Sequence, residues 1–156
     1  MIEGSGQITI QCPAESVYDF VLDMDRYRHA DPKIAKVAWE EWEGDRGRMK
    51  FSGKLRGLPA PPLVVNVVRK PFSRIEITAD ESTLIGWLSR FRGTFEIEAR
   101  GPGSCDVWHV ERFDFRRPVC WLADPLFRRW LADDTPAEML RLRAMIEHEA
   151  AEQDEH

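Results

Sequence analysis

Long apolar runs and paired cysteines are missing from this sequence. The longest apolar stretch lies around Leu63–Val65, which is too short to cross a bilayer or to act as a secretory signal. The three cysteines, Cys12, Cys105 and Cys120, are an odd number at long spacings. This pattern argues against a disulfide framework and against a zinc site. We therefore expect a cytoplasmic protein with reduced thiols and no membrane insertion.

Motifs of several large enzyme classes are also absent. The chain has no glycine-rich phosphate loop, no Gly-x-Ser-x-Gly and no His-Glu-x-x-His. Nucleotide-dependent, serine-hydrolase and zinc-protease functions therefore have no local support. His29, His148 and His156 lack metal-ligand partners at a suitable spacing. We predict neither a cofactor nor a metal ion.

Positive charge is in the minority, because 22 basic residues stand against 27 acidic ones and the formal net charge is -5. An acidic chain is not attracted indiscriminately to nucleic acid, so we expect no nucleic-acid partner. Four basic residues follow one face of a predicted strand: Arg48, Lys50, Lys54 and Arg56. We interpret them as the solvated outer face of a sheet, paired in part with acidic neighbours.

Aromatic residues, by contrast, are abundant. Six Trp and eight Phe accompany only two Tyr, and such a set either fills a core or lines a cavity. A length of 156 residues fits one domain, and a composition of 43% hydrophobic and 31% charged residues is typical of a globular protein. We predict a single domain over residues 1–156, with a frayed tail after about residue 151.

The N-terminal part begins with a strand pattern and continues with a helical one. Residues 6–12 alternate apolar and polar side chains, which is typical of a half-buried strand. Pro13 then begins a helix over residues 13–24, where apolar residues recur at i, i+3, i+4 and i+7. A second short helix over residues 25–30 is predicted to end before Pro32.

Six further strands are predicted between residues 34 and 115, where the apolar pattern has period two. They cover residues 37–43, 48–55, 63–70, 74–79, 87–99 and 105–115. The turns between them are short, which indicates antiparallel neighbours. Each strand has one polar and one apolar face, so the sheet needs a cover on its apolar side.

The chain ends with a helical pattern that can provide this cover. Met139, Leu142, Ile146 and Ala150 form an apolar stripe at helical spacing. A capping-box pattern at residues 135–138 includes a proline, which leaves open one long bent helix or two consecutive helices. This C-terminal element is the only amphipathic one long enough to cross the sheet.

The order of elements resembles the helix-grip superfamily, often labelled SRPBCC, which includes START domains, birch-pollen-allergen proteins and polyketide cyclase-like proteins. The resemblance rests on Pro13–Val21, Asp25–Tyr27, Asp31–Pro32, the turn Glu43–Asp45 and the segment His109–Phe113 after a glycine-rich turn. It implies an α+β helix-grip fold, in which a seven-stranded antiparallel sheet wraps around a long C-terminal helix and two short helices lie between strands 1 and 2. Members of the superfamily share a cavity and not a reaction.

The last predicted strand carries the most informative polar residues. One face has Val107, His109, Glu111, Phe113 and Phe115, while the other face carries three charged residues. We therefore place the first face inward, which separates His109 and Glu111 by about 7 Å along the concave side of the sheet. Two interpretations stay open. The pair acts as a catalytic acid and base, or it pairs with itself or an arginine and satisfies the polarity of the pocket.

A set of aromatic residues has the right alternation to line a ligand cavity: Trp39, Phe51, Trp87, Phe91, Phe95, Phe113 and Phe115. Whether Trp39 or Trp42 points inward is left open by the pattern. Gly53 and Gly93 fall at inward positions, where they either leave room for a ligand or mark bends of the sheet. On the C-terminal helix, Met139, Leu142 and Ile146 are predicted to form the opposite wall.

Three functions are compatible with this pattern. The first is binding of a hydrophobic small molecule, such as a lipid, an isoprenoid or a polyketide-like compound, between the sheet and the C-terminal helix of a monomer or homodimer. The second, implied by the resemblance, is a cyclase or dehydratase that uses His109 and Glu111. The third is a protein-interaction module similar to the co-chaperone and ribosome-associated toxin branches of the superfamily.

Overall fold

Seven strands and four helices make up the computed structural model, which describes residues 1–156. The strands are β1 (Ile2–Ile10), β2 (Lys36–Glu43), β3 (Arg46–Leu55), β4 (Leu58–Lys70), β5 (Arg74–Ala79), β6 (Phe91–Gly101) and β7 (Ser104–Phe113). The helices are α1 (Ala14–Leu22), α2 (Met24–Tyr27), α3 (Leu84–Ser89) and α4 (Val119–Asp154). All strands pair antiparallel in the order β1-β7-β6-β5-β4-β3-β2. The predicted α+β helix-grip fold is confirmed.

The C-terminal element is one helix and not two. It has 36 residues, continues through Pro125 and Pro136, and reaches Asp154, beyond the predicted start of fraying. Pro136 removes one backbone donor, but the surrounding segment is packed against β1 and stays helical. The predicted capping box at residues 135–138 therefore lies in the middle of the helix. No helix of the chain is both long and apolar enough to cross a bilayer.

Helix α4 lies directly on strand β1 because two glycines of that strand carry no side chain. A Cβ atom on Gly4 would lie 2.2 Å from Thr135 Oγ1 and 2.5 Å from the backbone oxygen of Leu131. A Cβ atom on Gly6 would lie 2.8 Å from Met139 Cγ. Close contact at this end of the sheet leaves no gap between strand and helix.

The apolar stripe of α4 consequently belongs to the core. Met139, Leu142 and Ile146 are buried in a cluster of 23 residues that also includes side chains of α1 and β1. The pattern of the sequence predicts that these three residues form one wall of the cavity, but none of them lines it and all three belong to the core. The reason is the contact between α4 and β1, which sequence alternation alone does not reveal.

Strand boundaries differ from the prediction on both sides of β5. The predicted strand 87–99 begins at Phe91, and Trp87 lies instead in helix α3, where the hydroxyl of Thr83 caps the first turn by accepting from Gly86 N. Residues 59–62, which lie between the predicted strands 48–55 and 63–70, belong to β4. This part of β4 pairs with β3 alone, because only residues 65–70 of β4 pair with β5. The strand therefore has one free edge here, where proline is tolerated.

A bulge in β2 decides which tryptophan faces inward. The register of β2 against β3 shifts between Val37 and Trp39, and a shift of one residue reverses the faces that follow. Val37 and Trp42 pack against the core. Trp39 is on the opposite face, where its ring centroid lies 5.8 Å from the Arg48 guanidinium carbon. The prediction that Trp39 lines the cavity is therefore wrong.

Candidate ligand cavity

A cavity of about 290 Å³ lies between the central strands, helices α2 and α3, and the first turn of α4. Of its 25 lining residues 17 are hydrophobic. The cavity is partly open and lies beside the α4–β1 contact, with Val119 as the only lining residue from α4.

Most of the predicted lining residues reach this cavity. Those that line it are Phe51, Gly53, Phe91, Gly93, Phe95, His109, Glu111, Phe113 and Phe115. Those that do not are Trp39, Trp87, Met139, Leu142 and Ile146. Phe115 follows the end of β7 but still faces the cavity.

Several lining residues were missed at the level of sequence. Ile85 and Leu88 come from α3, and Lys33 and Tyr27 come from the segment around α2. The spacing of Ile85 and Leu88 after Thr83 is a helical signal that a search for short capped helices would detect. A lysine that follows Asp31 and Pro32 has no pattern that predicts its burial.

The two inward glycines have different physical roles. A Cβ atom on Gly53 would lie 1.5 Å from the backbone oxygen of Lys33, so this glycine permits a close approach of two backbone segments. A Cβ atom on Gly93 would approach Phe91 Cζ at 3.1 Å and His109 Cε1 at 3.9 Å, both of them side-chain atoms on the cavity wall. Gly93 therefore adds space to the cavity, whereas the space at Gly53 is filled by backbone.

One end of the cavity adjoins a cluster of buried polar side chains. This buried polar cluster consists of Tyr27, Asp31, Lys33, His109, Glu111, Asp134, Thr135 and Glu138. Its members come from α2 and the loop after it, from β7 and from the middle of α4. The cluster therefore joins three elements that are distant in sequence.

Lys33 is the centre of the cluster. Its Nζ atom lies 2.9 Å from Asp31 Oδ1, 3.3 Å from Glu111 Oε2, 3.2 Å from Asp134 Oδ2 and 2.7 Å from Glu138 Oε2. Burial lowers the pKa of this ammonium, but the charges of Glu111, Asp31 and Glu138 outweigh burial and raise the pKa well above its usual value. Lys33 is therefore a fixed cation and not a nucleophilic amine.

His109 is held in one orientation. Its Nδ1 atom lies 2.9 Å from the backbone oxygen of Thr94 and must donate, because a carbonyl oxygen only accepts. The ring stacks on Phe95 with centroids 3.8 Å apart. Its Nε2 atom is buried without a hydrogen-bond partner, 3.5 Å from Glu138 Oε1 and 3.7 Å from Glu111 Oε1.

The two glutamates beside His109 have opposite pKa shifts. Burial raises the pKa of Glu111, but the Lys33 charge, the His109 ring and the Thr135 hydroxyl lower it to about 2. Burial together with the charges of Asp31 and Glu111 raises the pKa of Glu138 to about 7, although Lys33 and His109 oppose this shift. Glu111 is thus a permanent carboxylate, whereas Glu138 can take up a proton near neutral pH.

The proton on this side of the cluster can reside on either His109 or Glu138. Burial lowers the pKa of His109, but Glu138 and Glu111 reverse that effect and raise it. Tyr27 donates its hydroxyl hydrogen to Glu138 Oε1. The arrangement can hold a proton, or move it over a short distance, at the polar end of an apolar cavity.

Two sets of three side chains are close enough to ligate a metal ion. They are His109, Glu111 and Glu138, and Asp31, Asp134 and Glu138. The Lys33 ammonium contacts carboxylates of both sets. The chain therefore already supplies one cation to these carboxylates.

Comparison with solved structures identifies the same architecture in other proteins. A protein from Thermus thermophilus has a TM-score of 0.75 and 16% sequence identity, covering 94% of this chain and 97% of that one. A START superfamily protein from Mycobacterium smegmatis has a TM-score of 0.74 and 14% identity over 94% and 97%. An aromatase/cyclase from Streptomyces sp. R1128 has a TM-score of 0.63 and 17% identity over 94% and 82%. Identities this low indicate a common fold alone.

The sequence itself matches a family model. No curated protein is similar enough in sequence to be matched. The model described as polyketide cyclase / dehydrase and lipid transport matches residues 1–147, which is nearly the whole chain. Together with the structural neighbours it confirms the resemblance to the helix-grip superfamily. The chain belongs to the polyketide cyclase / dehydrase and lipid transport family.

Proposed function

We propose that the protein binds a hydrophobic small molecule, such as a lipid, an isoprenoid or a polyketide-like compound, in the cavity between α3, the central strands and the start of α4. The observation that carries this proposal is the predominance of hydrophobic side chains, 17 of 25, around a space of about 290 Å³. Binding of an apolar ligand in a partly open cavity of this kind is favourable, because the ligand displaces water from apolar surfaces.

The state of the buried polar cluster favours binding over catalysis. Glu111 contacts Lys33 and accepts from the Thr135 hydroxyl at 3.0 Å, while Nδ1 of His109 donates to Thr94. A catalytic acid and base need atoms that reach the substrate. Here Nδ1 of His109 and Oε2 of Glu111 are engaged within the protein, and Nε2 of His109 is buried between the carboxylates of Glu111 and Glu138. We infer that the cluster joins α4 to the sheet and closes the polar end of the cavity.

A side chain added at Gly93 tests the proposal. Gly93→Leu places a hydrophobic side chain into the cavity next to Phe91. We expect the affinity for the neutral apolar probe N-phenyl-1-naphthylamine to fall by about tenfold or more, because the volume available to the probe is removed. Fluorescence titration measures this affinity, and native mass spectrometry of the wild-type protein tests for a ligand retained on purification.

Gly103→Leu provides the matched control. Gly103 lies in the open β6–β7 turn, where a Cβ atom would meet nothing within 4 Å. This variant should bind the probe like the wild type, and both variants should melt cooperatively. Unchanged probe affinity in a folded Gly93→Leu variant would contradict binding in this cavity.

A further inference from the structure

Three segments line the cavity and also carry exposed side chains, so we take them to form its mouth and call them the rim: Leu55–Pro61, Ser82–Arg90 and Phe115–Leu122. The first includes the β3–β4 turn, the second includes α3, and the third includes the start of α4. Each contributes side chains to the cavity wall: Leu55, Ala60 and Pro61; Ile85, Leu88 and Ser89; Phe115 and Val119.

Specific contacts hold the rim segments side by side. The backbone N–H of Arg116 donates to Leu88 O at 2.9 Å, and its guanidinium donates to Trp87 O at 2.9 Å. The same guanidinium lies 4.5 Å from the centroid of the Trp87 ring. On the other side of the mouth, Arg56 donates to Leu126 O of α4 at 3.1 Å. These contacts join the second segment to the third, and the first segment to α4 one turn beyond the third.

The rim exposes an unusual share of the large hydrophobic side chains of the protein. Five of the nine that are exposed in the whole chain belong to it: Leu58, Leu84, Trp87, Trp121 and Leu122. Leu122 is 75% exposed, and Leu84 and Trp121 are each 69% exposed. Exposed apolar groups concentrated at the mouth of an apolar cavity mark an interaction site.

The charge of the rim is opposite to that of the chain. The three segments contain Arg56, Arg90, Arg116 and Arg117 and no acidic residue, although the formal net charge of the protein is -5. At the border of the rim, Glu81 pairs with Arg90 and Arg116, and Asp114 pairs with Arg90. Arg56 and Arg117 take part in no ion pair. One nitrogen of Arg56 donates to Leu126 O, and its other N–H groups, like those of Arg117, are available to an external anion.

From this combination we propose that the rim docks on the surface of an anionic lipid bilayer. Tryptophan and leucine side chains would enter the boundary between headgroups and acyl chains, while the arginines would contact lipid phosphates. A second copy of the chain fits the rim less well, because a symmetric contact would bring its four arginines towards the same four. Docking would let an apolar ligand pass between the bilayer and the cavity without crossing water. This role of docking rests on the proposed function.

Vesicle cosedimentation of the full chain tests this inference. Vesicles of phosphatidylcholine mixed with phosphatidylglycerol should bind the protein about tenfold more tightly than vesicles of phosphatidylcholine alone, and added salt should reduce that difference. The double variant Trp121→Glu/Leu122→Glu should lose about tenfold or more in affinity for the mixed vesicles, because two apolar contacts are replaced by repelled charges.

The matched control puts the same two substitutions elsewhere on the surface. Val68 and Leu140 are 48% and 54% exposed and lie outside the rim. Val68→Glu/Leu140→Glu adds the same charge and should bind the mixed vesicles almost like the wild type. Arg56→Gln/Arg117→Gln should lower the affinity by about tenfold, and only for anionic vesicles.

Three outcomes would overturn docking: no binding of the wild type to the mixed vesicles, equal losses in the rim variant and its control, or a wild-type dimer in light scattering that the rim variant converts to monomers. The last result would identify a second copy as the occupant.

Probe binding without vesicles separates this inference from the proposed function. Rim variants should keep the wild-type affinity for N-phenyl-1-naphthylamine even where vesicle binding is lost.

Discussion

Lys33→Met is the most informative change to the buried polar cluster. Methionine keeps much of the length of the side chain and removes its charge. The ammonium lies within 3.3 Å of one oxygen from each of four carboxyl groups. Removing one partner of a buried ion pair costs about 3–5 kcal/mol, because the remaining charge is left unpaired. We therefore expect the free energy of unfolding at pH 8 to fall by about 3–5 kcal/mol.

The loss in Lys33→Met should shrink at lower pH. Without the ammonium, the folded-state pKa values of the buried carboxyl groups rise, because burial and mutual repulsion are no longer opposed. A carboxyl group whose folded pKa exceeds its unfolded value stabilises the protein below the unfolded pKa, and this contribution is lost as the pH rises through the folded pKa. The variant should accordingly be closer to the wild type at pH 5 than at pH 8.

Urea unfolding at both pH values measures this effect. Lys36→Met is the matched control, because Lys36 is an exposed lysine at the start of β2, where substitutions usually change stability by less than about 0.5 kcal/mol. The reasoning is refuted if Lys33→Met costs less than about 1 kcal/mol at pH 8, or if its cost is the same at both pH values.

Two further predictions concern Glu138 and Gly53. The folded-state pKa of Glu138 is raised to about 7, so the contribution of this group to stability is present at acid pH and is lost as the pH rises through that value. Urea titrations should therefore show that Glu138→Gln loses less stability than the wild type between pH 5 and pH 8. The same change in the free energy of unfolding for both proteins over this range would contradict the prediction. Gly53→Ala places a Cβ atom 1.5 Å from Lys33 O, so it should lower the melting temperature and reduce the free energy of unfolding by about 3 kcal/mol. The control Gly103→Ala lies in an open turn and should change neither quantity. A Gly53→Ala variant as stable as this control would refute the close approach of the two backbone segments.

Local patterns in the sequence were sufficient for most of the architecture. The alternation of β3 and β7 predicts the inward positions of Phe51, His109 and Glu111, because the side chains of a regular strand point alternately to its two faces. Where a strand is irregular this inference fails. Trp39 is reversed by a bulge that has no residue signature, and Trp87 lies in a helix too short to produce a clear period.

The cavity and its polar end depended on contacts between distant segments. Whether Met139 meets a ligand or the core is decided by Gly4 and Gly6, which let α4 approach β1. Lys33 is a surface residue by every local criterion, yet it is buried because Asp31, β7 and α4 bring carboxylates to it. Sequence by itself determined most of the strands, the covering helix and their order, since hydrophobic periodicity and turn residues are local properties of the chain. Only the tertiary structure decided where space remains and which charges meet, since packing and electrostatic pairing join residues far apart in the chain.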